Sequence, residues 1–258
     1  MIGCIIQARM GSSRLPNKVL MKINENQTVL EHVIKQLSFS KSINKIIVAT
    51  TKLKQDDIIE NLVKKLGIDV FRGNSLDVLD RYYQCAKQFN LENIVRITSD
   101  CPLIDPEIVD KVIKKYETDE FDYVSNTLIR TFPIGMDVEI FSFGVLQTTW
   151  NNATLPSERE HVTPFMRNKK MGFSIGNVEN HKDHSKIRIT LDRKEDYELI
   201  KKIINKFERK PILIQDIIKL FQNQPELMKI NENVKHDEGM QKSLKNDKIS
   251  TKIGIKND

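Results

Sequence analysis

Residues 2–18, IGCIIQARMGSSRLPNK, are the most informative stretch of the chain, because they join a strand-like apolar run to a basic loop that contains a glycine. Glycine lets the backbone bend sharply, so that amide N–H groups can approach a ligand. Cations beside such amides suit a polyphosphate. The stretch therefore predicts a phosphate-binding loop at the carboxyl end of a first strand, although a solvated basic surface loop is the alternative. It matches neither the G-x-x-x-x-G-K-[ST] nor the G-x-G-x-x-G motif.

Strand-like and helical patterns alternate over the first 117 residues. We predict strands at residues 2–7, 45–50, 68–71 and 93–98, and helices at 28–37, 56–66, 76–89 and from 105 onward. This alternation is typical of an α/β protein with a mostly parallel sheet and helices on both faces. Ligands of such sheets bind beyond the carboxyl ends of the strands. We therefore expect the basic loop, Thr50-Thr51, Arg72-Gly73 and Ser99-Asp100 to converge on one crevice.

The second half of the chain has a less regular pattern. It predicts strands at residues 121–125, 135–141, 173–178 and 186–191, and helices at about 195–207 and 212–221. The run Ser157-Glu158-Arg159-Glu160 has the form of a capping box that opens a further helix. We divide the chain into a domain of residues 1–208 and a lysine-rich, partly ordered C-terminal extension of residues 209–258.

Composition argues against several classes of protein. The net charge of +6 is modest, and the basic residues form no dense block interleaved with aromatic residues, so no nucleic-acid partner is expected. No apolar run approaches the roughly 20 residues that span a bilayer, so no membrane is expected either. The three cysteines (Cys4, Cys85 and Cys101) have unrelated spacings, which predicts no disulfide framework and favours a cytoplasmic protein.

Two aspartates at the ends of predicted strands are candidate metal ligands. Asp100 follows the strand at residues 93–98, and Asp192 follows the one at 186–191. Protein-bound Mg²⁺ is held by one or two carboxylates together with phosphate oxygens. Two aspartates that face a phosphate loop therefore predict a Mg²⁺ site, although either one alone could instead be a helix N-cap.

Several motifs resemble those of the cytidylyltransferases. Residues 8–18 match in full the pattern A-R-x-G-S-x-R-L-P-x-K of sugar-acid cytidylyltransferases and related nucleotidyltransferases. Residues 98–104 resemble their G-D-x-P-L/F-I segment, with Ser99 in place of the frequent glycine. Residues 71–73, 77–83, 122–127 and 156–164 extend the resemblance over roughly residues 1–208. Together they resemble the spore-coat polysaccharide branch, which is itself similar to acylneuraminate and 3-deoxy-manno-octulosonate cytidylyltransferases.

The resemblance implies a Rossmann-like fold of the nucleotide-diphospho-sugar transferase type. It also implies transfer of CMP from CTP to an acidic sugar of the nonulosonic or ulosonic acid kind, with release of pyrophosphate, for surface glycan biosynthesis. Arg14 and Lys18 would be catalytic, and Asp100 and Asp192 would bind Mg²⁺. The nucleotide pocket would be formed by Ala8, Arg9, Met10, Gly11, Ser12, Arg72 and Thr98.

The acceptor sugar would meet Glu139, Arg159 and His161. The planar fork of Arg159 could clamp a carboxylate, and His161 could relay the hydroxyl proton. The capping box at residues 157–160 is a purely structural explanation for the same stretch. Related enzymes pair through the region that matches residues 121–165, which implies a homodimer.

Two other functions are compatible with the predicted fold. One is a glycosyltransferase that consumes a nucleotide sugar, but the D-x-D metal motif usual in such enzymes is absent from the sequence. The other is a nucleotide-sugar-binding protein without activity, against which the intact Arg14, Lys18, Asp100 and Asp192 argue.

Overall fold

Seven strands form one sheet at the centre of the structure, a computed structural model that describes residues 1–235 and 238–254, with side chains up to residue 249. The strands are β1 (Ile2–Gln7), β2 (Lys45–Thr51), β3 (Asp69–Gly73), β4 (Asn93–Thr98), β5 (Tyr123–Ser125), β6 (Glu139–Ser142) and β7 (Ile175–Asn177). Their order is β3-β2-β1-β4-β6-β5-β7. All neighbours pair in parallel except β6, which is antiparallel to β4 and β5. The predicted mostly parallel α/β sheet is confirmed.

Helices cover both faces of this sheet. Those described are α1 (Val29–Leu37), α2 (Asp57–Lys65), α3 (Val78–Gln88), α4 (Pro106–Tyr116), α5 (Phe143–Asn152), α6 (Pro156–His161), α7 (Pro164–Arg167), α8 (Lys194–Ile204), α9 (Ile214–Asn223) and α10 (Glu238–Gly254). Short 3₁₀ turns lie at Lys18–Leu20, Lys54–Asp56, Lys169–Met171 and Pro225–Ile230. None of the helices within the described ranges is both long and apolar enough to cross a membrane.

The sheet separates two apolar clusters, because alternate side chains of a strand point to opposite faces. In β2, Val48 packs in the cluster beneath α1, α4 and α8, whereas Ile47 and Ala49 pack in the cluster beneath α3 and α5. The central strand β1 is buried from Ile2 to Ile6, as expected of a parallel strand covered on both faces. This layout leaves the carboxyl ends of β1 and β4, which are adjacent in the sheet, open at one edge.

Two predictions for the second half of the chain are wrong. Residues 186–191 do not form a strand of the sheet, and only one isolated bridge joins Arg188 to Ile134. Their backbone groups instead form hydrogen bonds with two separate loops. For example, Leu191 N donates to Asp100 O over 2.8 Å. Helix α6 begins at Pro156, two residues before the start that a capping box at residues 157–160 predicts, so the carboxylate that caps it is that of Glu158 rather than Glu160.

The C-terminal segment packs onto the rest of the protein where it is described. Ile217 and Phe221 of α9 lie in the same apolar cluster as the central strands. Helix α10 lies against α6, where Ser157 N donates a hydrogen bond of 2.9 Å to Asp247 Oδ1. The division at residue 208 stays a prediction, and residues 236–237 and 255–258 of the extension lie outside the described ranges.

Candidate active site

The basic loop of residues 8–18 forms one wall of a crevice of about 630 Å³ at the carboxyl ends of β1 and β4. Its first residue continues the sheet, because Ala8 N donates to Ala49 O over 3.1 Å. Its middle is anchored by the buried Asp56, which accepts a hydrogen bond of 2.8 Å from Met10 N. The loop is thus fixed at two points, and its basic side chains face the crevice.

Lys18 lies at the centre of a cluster of charges at one end of this crevice. Its ammonium is 3.1 Å from Asp100 Oδ2, 3.0 Å from Asp192 Oδ1 and 2.7 Å from Leu191 O. Burial by itself would lower the pKa of Lys18, but the two carboxylates outweigh it and raise the pKa, so the amine stays charged. Arg14 adds a second cation, with Nη2 2.6 Å from Asp192 Oδ1.

Both aspartates are held in place by their backbones. Asp100 O accepts hydrogen bonds from Leu191 N and from Thr190 Oγ1, which joins the loop after β4 to the segment that carries Asp192. Asp192 N donates to Asp196, whose carboxylate is itself paired with Arg188. Neither aspartate caps a helix, because the N-caps of α4 and α8 are other residues, Asp105 and Arg193.

The two carboxylates fit a divalent cation that takes its remaining ligands from phosphate. Burial tends to raise the pKa of Asp192, but Lys18 and Arg14 outweigh it and lower the pKa to about 2, so this carboxylate is ionised at neutral pH. Within the described residues, no group of three or more His, Cys, Asp or Glu could hold a metal without further ligands. Such a donor set suits Mg²⁺, which usually keeps water or substrate phosphate ligands.

The predicted nucleotide-binding residues separate into two groups. Ala8, Arg9, Gly11, Ser12 and Thr98 line the crevice, and Met10 packs its side chain against the core beneath it. Arg72 does not line it: its guanidinium is 2.8 Å from Glu60 Oε2, contacts Asp57, and donates to Thr51 O. These partners hold Arg72 at the outer edge of the sheet, so the expected convergence of all four strand ends is wrong for Arg72. The convergence is also wrong for Thr50-Thr51, because both threonines are buried in β2 and neither lines the crevice.

The three predicted acceptor residues also have different settings. His161 lines the crevice, with Nε2 3.0 Å from Ser243 Oγ, and burial lowers its pKa. The Arg159 guanidinium is paired with Asp77 and donates to Trp150 O. Glu139 is only 3% exposed and belongs to a buried charge network rather than to the crevice surface.

That network joins Glu139 to two arginines. Arg96 and Arg167 both contact the Glu139 carboxylate, and Thr163 Oγ1 donates to it over 2.7 Å. Burial alone would raise the pKa of Glu139, but the arginines outweigh it and hold the pKa well below its usual range. Arg96 also lines the crevice and donates to Gln7 Oε1, so the network reaches the crevice beside the start of the basic loop.

Sequence reasoning missed several residues of the crevice. Arg96 could have been found, because it is the single charge inside the buried run NIVRIT. Helix α10 gave no such signal, yet Glu238, Gly239 and Lys242 line the crevice mouth. Glu238 is held there by Arg193, at 2.6 Å, and a Cβ on Gly239 would lie 3.4 Å from Arg14 Nη1.

Comparison with known proteins places this site in a family. The family model described as cytidylyltransferase matches residues 3–234, so the chain belongs to the cytidylyltransferase family. The spore coat polysaccharide biosynthesis protein SpsF of Bacillus subtilis is 34% identical over 229 residues, which cover 86% of this chain and 94% of that protein. The structure of a cytidylyltransferase from Leptospira borgpetersenii superposes with a TM-score of 0.84 at 38% identity, covering 88% of this chain and 96% of that one.

A third relative has a named substrate class. A 3-deoxy-manno-octulosonate cytidylyltransferase of Solibacter usitatus is 34% identical over 111 residues, which cover 42% of each chain. The protein is therefore a CTP-dependent nucleotidyltransferase whose relatives include an enzyme named for an acidic sugar.

Proposed function

We propose that this protein transfers CMP from CTP to an acidic sugar of the nonulosonic or ulosonic acid kind. The observation that carries the proposal is the cluster of Lys18, Arg14, Asp100 and Asp192 beside the loop of residues 8–18. It combines cations for phosphates with carboxylates for Mg²⁺ at one end of a crevice. The resemblance to a spore coat polysaccharide protein and to an octulosonate enzyme supports an acidic acceptor for surface glycan biosynthesis.

The proposed reaction is an in-line displacement at phosphorus. A sugar hydroxyl oxygen bonds to the α-phosphorus of CTP, the bond from that phosphorus to the α,β-bridging oxygen breaks, and pyrophosphate leaves. Arg14 and Lys18 hold the triphosphate and stabilise the charge that develops on the leaving oxygens. Asp100 and Asp192 would hold Mg²⁺, which neutralises phosphate charge when bound.

The sugar hydroxyl loses its proton in this reaction, so a proton acceptor is needed at the end of the crevice that holds Asp100 and Asp192. His161 lines this end, and its lowered pKa keeps the imidazole neutral, and so able to take a proton, at neutral pH. A second cavity of about 250 Å³ shares Arg14, Thr98, Asp100 and His161 with the crevice, is also lined by Asp192, and extends toward α10. We assign the acceptor sugar to this cavity.

The proposal is tested by pyrophosphate release with each of the four nucleoside triphosphates against a panel of acidic sugars. We expect release with CTP and an acidic sugar in Mg²⁺ or Mn²⁺, and loss of release in excess chelator. Asp100→Asn and Asp192→Asn should abolish release because each removes a charged metal ligand. Undiminished turnover in chelator would refute the metal site, and turnover with UTP and a neutral sugar phosphate alone would refute the proposed reaction.

We also propose a homodimer built on the region of residues 121–165. Its support is the surface exposure of two large apolar side chains, Leu128 and Ile129, the latter 60% exposed. Light scattering at micromolar concentration should give about twice the chain mass of 30.0 kDa. Ile129→Asp should shift the mass to the monomer, whereas Ile58→Asp, at a site 53% exposed on α2, should not. A fully active wild-type monomer would contradict the dimer.

A further inference from the structure

Arg81 on α3 is a buried cation without a carboxylate partner. Its side chain is 1% exposed, and Nε donates a hydrogen bond of 2.9 Å to Asn74 O. Its Nη2 is buried and has no hydrogen-bond partner, and no ion pair to Arg81 occurs within the part of the chain that the structure describes. Leaving a buried charge unpaired is costly, so such a group is normally satisfied by something that binds there.

The surroundings of Arg81 hold its side chain in the crevice. It lines the same crevice as Ala8, Arg9 and Val78. Gly73, at the end of β3, makes room for it, since a Cβ there would lie 2.8 Å from Arg81 Cγ and 2.7 Å from Phe71 Cε1. The glycine and the helix together fix the guanidinium instead of leaving it as a flexible surface group.

Two other arginines of this region, Arg72 and Arg96, have carboxylate partners. Arg72 contacts Asp57 and Glu60, and Arg96 contacts Glu139. The charges that act on Arg81 include those of Arg9, Asp56 and Asp77, and burial, the largest influence, lowers its pKa. Arg81 donates to Asn74 O just after the edge strand β3, whereas Asp100 follows β4 on the far side of β2 and β1, so Arg81 lies away from the end of the crevice assigned to the phosphates and the metal.

A ligand group that satisfies the unpaired Arg81 Nη2 has to offer hydrogen-bond acceptors. The neighbouring Ala8 and Val78 are buried apolar residues that suit the face of a nucleobase better than a triphosphate. Cytosine presents two adjacent acceptors, O2 and N3, which match the paired donors of a guanidinium. Uracil carries a hydrogen on N3, which would face those donors and leave them unpaired.

We propose that Arg81 donates hydrogen bonds to O2 and N3 of cytosine and so determines the preference for CTP over UTP. This inference rests on the proposed function, and it identifies the part of the proposed CTP site that binds the base. It replaces Arg72, which the sequence favoured and whose guanidinium is already occupied. A site built to pair with specific acceptors rejects the wrong base because its own buried donors are then unsatisfied.

Calorimetric titration with CTP and UTP, which needs no turnover, tests this assignment. In wild-type protein we expect tighter binding of CTP than of UTP. Arg81→Met should weaken CTP binding about 10–100-fold and leave little preference between the two nucleotides. Arg81→Lys should also lose the preference, because a lysine keeps the charge but not the planar fork. Lys87→Met, which removes an exposed cation from the same helix, should change neither affinity.

The apo-protein melting temperature separates this role from a structural one. Removing a buried cation that has no partner should leave the melting temperature of Arg81→Met unchanged or raise it, whereas loss of a structural ion pair would lower it. A wild-type CTP preference that survives in both Arg81 variants would overturn the inference and leave the proposed function intact. Wild-type protein that binds neither nucleotide, or binds GTP best, would overturn both.

Discussion

Lys18→Ala is expected to lower kcat for pyrophosphate release about 10²–10³-fold, equivalent to roughly 3–4 kcal/mol of lost transition-state stabilisation. The reason is geometric: the Lys18 ammonium lies between Asp100 and Asp192, where the charge of the leaving pyrophosphate would develop. Steady-state kinetics at saturating CTP and acceptor measures the loss. Arg14→Ala should also lower kcat, since the Arg14 guanidinium contacts Asp192 at the same end of the crevice.

The fold should survive this change. Asp100 and Asp192 both keep some contact with solvent, and Asp192 keeps Arg14 as a partner. A thermal melt run beside the kinetics will therefore show a folded variant. Lys22→Ala removes an exposed lysine just after the loop and should retain wild-type kcat. Wild-type turnover in a well-folded Lys18→Ala protein would rule out the catalytic role.

Glu139→Ala is expected to lower the free energy of unfolding by about 3–5 kcal/mol. Its carboxylate is buried and is shared by Arg96 and Arg167, so the alanine variant leaves two guanidinium groups without their counter-charge. Urea titration of both proteins measures the difference. Asp69→Ala, which breaks the solvent-exposed pair with Lys45, should cost no more than about 1 kcal/mol and serves as the control.

The same carboxylate gives a pH dependence of defined sign. Because the pKa of Glu139 is lowered on folding, its stabilisation is fully present above the unfolded pKa of about 4.3 and is lost as the pH falls below it. The stability difference between wild type and Glu139→Gln should therefore be constant from pH 6 to about pH 5 and shrink in more acidic solution. A difference that grows on acidification would contradict the ionised, doubly paired carboxylate.

The sequence predicts those parts of the fold whose signals are local. The buried strand before the basic loop, the apolar stripe of residues 28–37 and the cap formed by Asp105 and Pro106 all depend on neighbours in the chain, and the structure has each of them. Residues 186–191 look like a strand because they are apolar and alternating. Their partners, however, are loops far away in sequence, which no local pattern reveals.

The same distinction applies to the site. Sequence motifs predict the loop of residues 8–18 and Asp100 as parts of the site. The structure brings them together with Asp192. The motif could not show that Arg72 is held by two acids of α2, or that Arg81 is buried with an unpaired nitrogen. Those facts depend on how α2 and α3 pack against the sheet edge.

Identification of the product tests the proposed transfer of CMP to an acidic sugar. CTP, Mg²⁺ and a panel of nonulosonic and ulosonic acids are incubated with the protein, and the mixture is analysed by mass spectrometry with pyrophosphate counted in parallel. We expect a new species with the mass of the acid plus CMP less one water, formed with one pyrophosphate per molecule. CTP consumed without such a species, or transfer of CMP only to a neutral acceptor, would contradict the proposed transfer.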